Sequence, residues 1–186
     1  MLGLPRGGVV VAAEVARALN APLDVLVVRK LGVPGQPELA MGAVAAAGEH
    51  VETVRVREII DRANVDEAAF ADVRESELRE LRRRETAYRA GRPPLDLRGR
   101  QVLIVDDGLA TGATARAAVA AVRAQGASWV GVAVPAGSPR AIGRLRPEVD
   151  ELVCLRAPHG FSSVGRLYQD FAPTGDDEVR QALAGR

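Results

Sequence analysis

Hydrophobic residues follow two rhythms along this chain, and the two alternate. Val102 to Val105 is an unbroken apolar run, Leu23 to Val28 is rich in branched residues, and Trp129 to Val134 and Glu151 to Leu155 continue the series. Short apolar runs of this kind predict strands covered on both faces, as in a parallel sheet. Helical patterns lie between them. Val9 to Leu19 closes at Asn20, an alanine-rich stretch after Thr114 stops at Gly126, Pro139 to Leu145 follows Ser138, and Asp176 to Leu183 comes last. Gly126 suits a left-handed helix cap, and Ser138-Pro139 pairs an N-cap hydroxyl with proline at the first helical position. Strands alternating with helices predict an α/β fold with a doubly wound, mostly parallel sheet.

Three regions break the alternation. Leu31 to Glu38 holds two glycines and two prolines and predicts a long loop of the kind that closes over substrate. Leu39 to Ala45 and Val51 to Val56 predict a hairpin around Ala47-Gly48-Glu49, so residues 31–56 read as a mobile loop plus a flanking hairpin. Residues 57–90 read as one helical segment with Phe70, Val73, Leu78, Leu81 and Tyr88 as its apolar stripe. Glu75/Arg79 and Glu80/Arg84 form i,i+4 pairs on its outer face, and its length suits packing against a second subunit, hence a homodimer. Ala157 to Phe171 follows neither period.

Composition narrows the class. A chain of 186 residues fits a single domain, 1–186, and 47% hydrophobic with 26% charged residues makes it globular. A net charge of +1 gives no case for nucleic acid, and Glu77, Glu80 and Glu85 dilute Arg82-Arg83-Arg84 into a solvated face. One cysteine, Cys154, excludes an internal disulfide framework, suits a reducing cytoplasm, and reads as a buried small hydrophobe. No apolar run approaches the roughly 20 residues of a membrane span, and no signal peptide is visible. His159 has no ligand partners in sequence, and the dinucleotide and triphosphate glycine motifs are absent.

The chemistry concentrates in Gln101 to Gly126, QVLIVDDGLATGATARAAVAAVRAQG. A strand ends in two carboxylates, Asp106 and Asp107. A small-residue loop then leads into a helix. Gly112 lets backbone N–H groups approach an anion, Thr111 and Thr114 add hydroxyls, and the helix N-terminus contributes its dipole. Ala110, Thr111, Gly112, Ala113 and Thr114 thus build a monophosphate cradle. The acid pair would repel that phosphate and must serve vicinal hydroxyls or Mg²⁺. Phosphate at one end and a diol at the other describe ribose 5-phosphate.

VLIVDDGLATGAT resembles the phosphoribosyl-pyrophosphate signature of the type I phosphoribosyltransferases, in which a hydrophobic strand, two acids and a Thr-Gly-x-Thr loop occur in that order. The resemblance extends to Leu4-Pro5-Arg6-Gly7-Gly8, similar to the family's pyrophosphate-binding loop, where a non-proline cis peptide is often found; here it is expected near Arg6-Gly7. Arg29 and Lys30, read as the charged end of the strand from Leu23, resemble the basic residues that help neutralise pyrophosphate. Residues 157–186 fall where the family places part of its hood and a closing helix. There Phe161, Tyr168 and Phe171 would stack on an acceptor ring and Asp170 would receive an N–H. The resemblance implies transfer of ribose 5-phosphate from phosphoribosyl pyrophosphate to a nitrogenous acceptor. Catalysis would rest on Asp106, Asp107, Arg6 and Lys30, with Mg²⁺ held by the two aspartates directly or through water. Pyrophosphate would meet Arg6, Gly7, Gly8, Arg29 and Lys30. Ala110 stands where members acting on 6-oxopurines often carry an acid, so that route to hypoxanthine or guanine is in doubt. The alternative is a regulatory protein that senses phosphoribosyl pyrophosphate or a nucleotide on the same fold; retention of the acid pair, PRGG and Arg29-Lys30 favours chemistry.

Overall fold

The structure, a computed structural model, describes residues 1–47 and 50–185. β1 (Leu2–Gly3) leads through a tight loop into α1 (Gly7–Ala18), and β2 (Asp24–Val25) lies parallel beside β1. β6 (Gln101–Val105), α4 (Ala113–Ala124), β7 (Trp129–Ala136), α5 (Pro139–Leu145) and β8 (Glu151–Arg156) build the other half of the sheet. The strand order is β2-β1-β6-β7-β8, parallel throughout. From β1 the chain crosses over to β2 on one side, and from β6 it crosses over to β7 on the other. The two crossovers therefore diverge between β1 and β6, and a crevice opens there at the strands' C-terminal ends.

Alternation along β6 divides the core. Val102 and Ile104 face Ala118, Val119 and Val122 of α4 together with Ala141 and Leu145 of α5. Val105 faces the opposite layer, where Val9, Ala12 and Ala16 of α1 pack with Phe70, Leu81 and Tyr88 of α3 (Glu67–Arg89) and Val179 and Leu183 of α6 (Asp176–Ala184). Helices thus cover both faces of a sheet whose strands are apolar on both sides. α4 is alanine-rich because it also packs against β4 (Gln36–Ala47) and β5 (His50–Arg55), so Ala115, Ala117, Ala118 and Ala121 are all buried.

The structure departs from the sequence reading in three places. Leu23 to Val28 is not one strand. β2 stops at Val25, Leu26 donates its N–H to the Gly3 carbonyl at 3.1 Å, and the chain turns away as β3 (Val27–Val33) into a separate antiparallel sheet of order β3-β4-β5. Leu31 to Glu38 is not a loop. Val33 pairs with Gln36 across Pro34-Gly35, and Gly35 takes a φ of +76° at the tip of this two-residue turn. The hairpin expected from Leu39 to Val56 is β4 paired with β5; its centre at Gly48-Glu49 lies outside the described residues. The helical segment from 57 to 90 is two helices. α2 (Arg57–Arg62) ends before Asn64 (φ +51°), and Asp66 caps α3 by accepting the Ala69 N–H at 2.8 Å.

Other readings agree with the structure. Glu75–Arg79 and Glu80–Arg84 pair at 2.6 and 2.7 Å, Ser138 caps α5 by accepting the Ala141 N–H at 3.2 Å, and Gly126 has φ +80°. Cys154, read from the sequence as buried, packs against the α4–α5 core but is only half-buried. Among the described residues no helix is long and apolar enough to cross a membrane.

Candidate active site

The loops after β1 and β6 meet in the crevice. Leu4 donates to the Val105 carbonyl at 2.9 Å, which ties the start of the first loop to the last residue of β6. Beyond it the backbone of Gly7 and Gly8 presses on the acid pair. A Cβ on Gly7 would lie 2.1 Å from Asp107 Oδ2, and one on Gly8 would lie 2.8 Å from both Cα and Oδ1 of Asp106. At Gly8, where backbone atoms stand in the way, only hydrogen fits; at Gly7 the Asp107 carboxylate would have to swing aside. The cis peptide lies at Pro5-Arg6, one bond earlier than expected from the sequence. Within the pair, Asp107 donates its N–H to Asp106 Oδ1 at 2.9 Å.

The second loop is anchored from beneath by Leu109. This buried side chain sits between an N–H donated to the Ala136 carbonyl (2.9 Å) and a carbonyl that accepts the Ser138 N–H (2.8 Å). Ala110, Thr111 and Thr114 are consequently exposed and Ala113 half-buried, while Gly112 turns the chain at φ +83° into α4. Thr111 Oγ1 accepts the Ala113 N–H at 3.4 Å, and no side chain at Gly112 caps the helix. The N-terminal turn of α4, through Gly112, Thr114 and Ala115, therefore borders a cavity of about 300 Å³. Asp106, Asp107, the loop through Gly112, Thr114, Ala115, Val164 and Phe171 line it.

A second cavity, about 490 Å³, adjoins the first. Arg6, Gly7, Val10 and Val11 form one wall, and Tyr168, Asp170, Phe171 and Ala172 to Thr174 form the other. Asp107 and Phe171 line both cavities. A third hollow of comparable volume, about 520 Å³, lies between α1 and α6, lined by Glu14, Arg17 and Gln181 among others, and contains neither the acids nor the loops.

The segment after β8 holds the acid loop in place. Tyr168 donates its hydroxyl to the Asp107 carbonyl at 2.5 Å, and Val164 packs so closely that a Cβ on Gly108 would lie 2.3 Å from its Cγ1. The Tyr168 and Phe171 rings sit 5.0 Å apart. Burial and the charges of Asp107 and Asp106 push the Tyr168 phenol up to about 12, so it remains a hydrogen-bond donor at neutral pH.

Electrostatic stress is greatest at Asp106. Burial, then the neighbouring Asp107 charge, raise its carboxyl from 3.8 to about 7, while the Asp107 N–H acts in the opposite direction. Burial also raises Asp107. The raised value has a consequence for stability. Below 3.8 both folded and unfolded states hold the Asp106 proton, and no penalty exists. Between that value and about 7 the unfolded chain releases the proton first, so stability falls as pH rises; above about 7 the penalty is complete. Asp106→Asn is therefore expected to be more stable than the parent at pH 8. The gain should be on the order of 2 kcal/mol, or roughly 4–8 °C in Tm for a domain of this size, and should vanish near pH 4. Thermal melts of both proteins across pH 4–8 check it; a gain that does not shrink with falling pH contradicts the cause given.

A family model for the phosphoribosyl transferase domain matches residues 1–169. The chain belongs to the phosphoribosyl transferase family. It is 51% identical over 179 residues to a Mycobacterium tuberculosis (strain H37Rv) protein named "Putative phosphoribosyl transferase Rv0571c", and equally to its counterpart in strain CDC 1551. Each match covers 96% of this chain but 40% of the relative, so the chain spans less than half the length of those proteins. The crystal structure of TT1426 from Thermus thermophilus shares 43% identity and a TM-score of 0.84, over 99% of this chain and 86% of that one.

In this phosphoribosyl transferase domain the sequence-selected residues divide into two groups. Arg6, Gly7, Gly8, Asp106, Asp107 and the loop from Ala110 to Thr114 come together around the two cavities, as do Tyr168, Asp170 and Phe171. Arg6 and the aromatic pair share one cavity, although the sequence reading assigned them to different ligands. Arg29 and Lys30 do not join them. Both lie on β3, not at the end of a parallel strand; Arg29 pairs with Glu77 at 2.6 Å and Lys30 with Glu38 at 3.0 Å. Phe161 is half-buried and lines neither cavity, and His159 is exposed. Val164 escaped the sequence reading. Its only local signal was Gly108, whose missing side chain makes room for it.

Proposed function

We propose that this domain transfers ribose 5-phosphate from phosphoribosyl pyrophosphate to a nitrogenous, nucleobase-like acceptor and releases pyrophosphate. The observation that carries the reading is the contact of Gly7 and Gly8 with Asp107 and Asp106. It joins the pyrophosphate-type loop, the acid pair and the phosphate cradle around one crevice.

The 5-phosphate sits against the Thr111 and Thr114 hydroxyls and the N-terminal N–H groups of α4, where the helix dipole favours an anion. Asp106 and Asp107 accept hydrogen bonds from the ribose diol. As the C1–O bond to pyrophosphate breaks and the C1–N bond forms, with the acceptor's N–H proton passing to solvent, positive charge grows on the sugar ring. Two carboxylates fixed beside it stabilise that charge more than they stabilise the ground state. The Gly7 amide and the Arg6 guanidinium face the leaving group from the adjoining cavity, and Gly8 backs them against Asp106. There Tyr168 and Phe171 offer an apolar wall to a flat acceptor, with the Tyr168 hydroxyl already engaged by Asp107.

Two crowded, half-buried carboxylates with raised affinity for protons suit a hard divalent cation. Mg²⁺ held by Asp106 and Asp107, directly or through water, would supply charge neutralisation for the departing pyrophosphate. Among the described residues no group of three or more His, Cys, Asp or Glu side chains could hold a metal ion, so the remaining ligands would be water and substrate oxygens.

The deciding experiment measures pyrophosphate release from phosphoribosyl pyrophosphate with Mg²⁺ across purine, pyrimidine and other nitrogen acceptors. Release with at least one acceptor supports a transferase; tight binding with none selects the regulatory alternative. Within that assay Arg6→Ala is expected to raise the donor KM by about tenfold, the equivalent of one charged hydrogen bond. Lys30→Ala should change it less than about threefold, because its ion-pair partner Glu38 lies on the neighbouring strand of the same exposed hairpin. Equal effects at the two positions would return Lys30 to the leaving-group site.

A further inference from the structure

Asp176 opens α6 without lining either cavity, yet it joins three parts of the chain. Its Oδ1 accepts the Tyr88 hydroxyl at 2.8 Å, and the same oxygen lies 4.0 Å from a terminal nitrogen of the Arg6 guanidinium. Tyr88 is 1% exposed and fixed on α3 within the core, whereas the Arg6 and Asp176 side chains are about half exposed, 46% and 50%. The carboxylate is thus aimed from a rigid side toward a freer one. The neighbouring cations Arg83 and Arg84 donate their hydrogen bonds to Glu80, although the Asp176 charge also acts on Arg83. Glu80 holds Arg83 with two bonds of 2.7 and 2.9 Å and Arg84 with one of 2.7 Å. Arg6 itself lines the larger cavity beside Asp107.

A long arginine side chain that is ordered only on ligand binding loses rotamer freedom at that moment, and affinity falls accordingly. A carboxylate that biases the guanidinium beforehand removes part of that loss. An ion pair at 4.0 Å between half-exposed groups adds almost nothing to folding stability, so orientation is the effect that remains. We propose that Asp176, aimed by Tyr88, is a positioning residue that holds Arg6 beside Asp107, ready for the pyrophosphate group of the donor. The inference rests on the transferase reading above and deepens it at the leaving-group side.

The test is calorimetric titration of the full chain with inorganic pyrophosphate and Mg²⁺, alongside donor and acceptor KM values. Asp176→Asn keeps an oxygen for the Tyr88 hydroxyl and loses only one charge at the N-terminus of α6, so its Tm should fall by no more than about 4 °C. Its pyrophosphate affinity should fall about twofold and the donor KM rise in proportion, with the acceptor KM unchanged. In an Arg6→Ala background the same substitution should have no further effect, and Tyr88→Phe should reproduce the loss in smaller measure. Asp176→Asn binding as tightly as the parent, or effects that simply add to those of Arg6→Ala, overturns the proposal while the transferase reading stands. A parent chain that binds no pyrophosphate at all brings down both.

Discussion

Asp106→Asn and Asp107→Asn are each expected to lower pyrophosphate release by at least about a hundredfold, the usual loss when a charge-stabilising contact to a transition state is removed. Asparagine preserves size and an accepting oxygen, so under the proposed transfer the diol can still be positioned; what disappears is the negative charge that the proposal sets opposite the cationic sugar ring. The loss should therefore appear mainly in kcat, with the donor KM changed only severalfold. The two positions are not equivalent. Burial and the Asp107 charge together raise Asp106 to about 7, whereas burial alone raises Asp107, and the Asp107 N–H already occupies one Asp106 oxygen. Asp106→Asn should consequently combine the catalytic loss with the gain in Tm at pH 8 described above. That opposition separates a catalytic defect from a folding one. Turnover within a few-fold of the parent for either variant would remove the acid pair from the mechanism.

The segment that carries this expectation was also the most legible part of the sequence. Gln101 to Gly126 specifies strand, acids, loop and helix from contiguous residues: an apolar run too short for a helix, a glycine where φ reaches +83°, and a glycine cap at φ +80°. Nothing distant is needed to read it. The parting of β2 from β3 at Leu26 was hidden for the opposite reason. Leu23 to Val28 looks the same whether it forms one strand or two, and the break follows from tertiary pairing, since β1 offers only Leu2 and Gly3 as partners. The Pro34-Gly35 turn was in principle readable as a two-residue hairpin tip between Val33 and Gln36. The wealth of prolines and glycines around it suggested a loop instead. With β3 redirected, Arg29 and Lys30 move with it, which is why these two cations pair with Glu77 and Glu38 and do not crown the parallel sheet.

The tail shows a different limit. Val164 on Gly108 and Tyr168 on the Asp107 carbonyl are contacts between segments far apart in the chain, with no periodicity to announce them. Aromatic character alone pointed to Tyr168 and Phe171. It pointed equally to Phe161, which lines neither cavity. Side-chain type identified which residues could meet a flat ligand, and only packing determined which of them reach the crevice.

Alanine at Gly7 and Gly8 should damage the domain in two distinguishable ways. A Cβ on Gly8 would meet the Asp106 Cα at 2.8 Å and the Val105 carbonyl oxygen at 2.9 Å. Both are backbone atoms at the end of a strand paired on each side, so neither can withdraw without disturbing β1 or β7. Overpacking of this kind costs about 1–3 kcal/mol, so Gly8→Ala should lose roughly 2–12 °C in Tm and at least about a hundredfold in activity. On Gly7 the Cβ would instead meet the tip of the Asp107 side chain, at 2.1 Å from Oδ2. A carboxylate can rotate away cheaply. Gly7→Ala should therefore retain most of its Tm yet lose activity nearly as severely, because the displaced group lines both cavities and is the one the proposed transfer sets against the ribose. Gly143→Ala on α5, where an added Cβ meets nothing within 4 Å, supplies the matched control and should be neutral or slightly stabilising. Thermal melts and pyrophosphate release on the three variants decide the matter. If Gly7→Ala melts and turns over like the Gly143 control, the glycine loop does not govern the acid pair, and the contact on which the proposed function rests has no catalytic consequence.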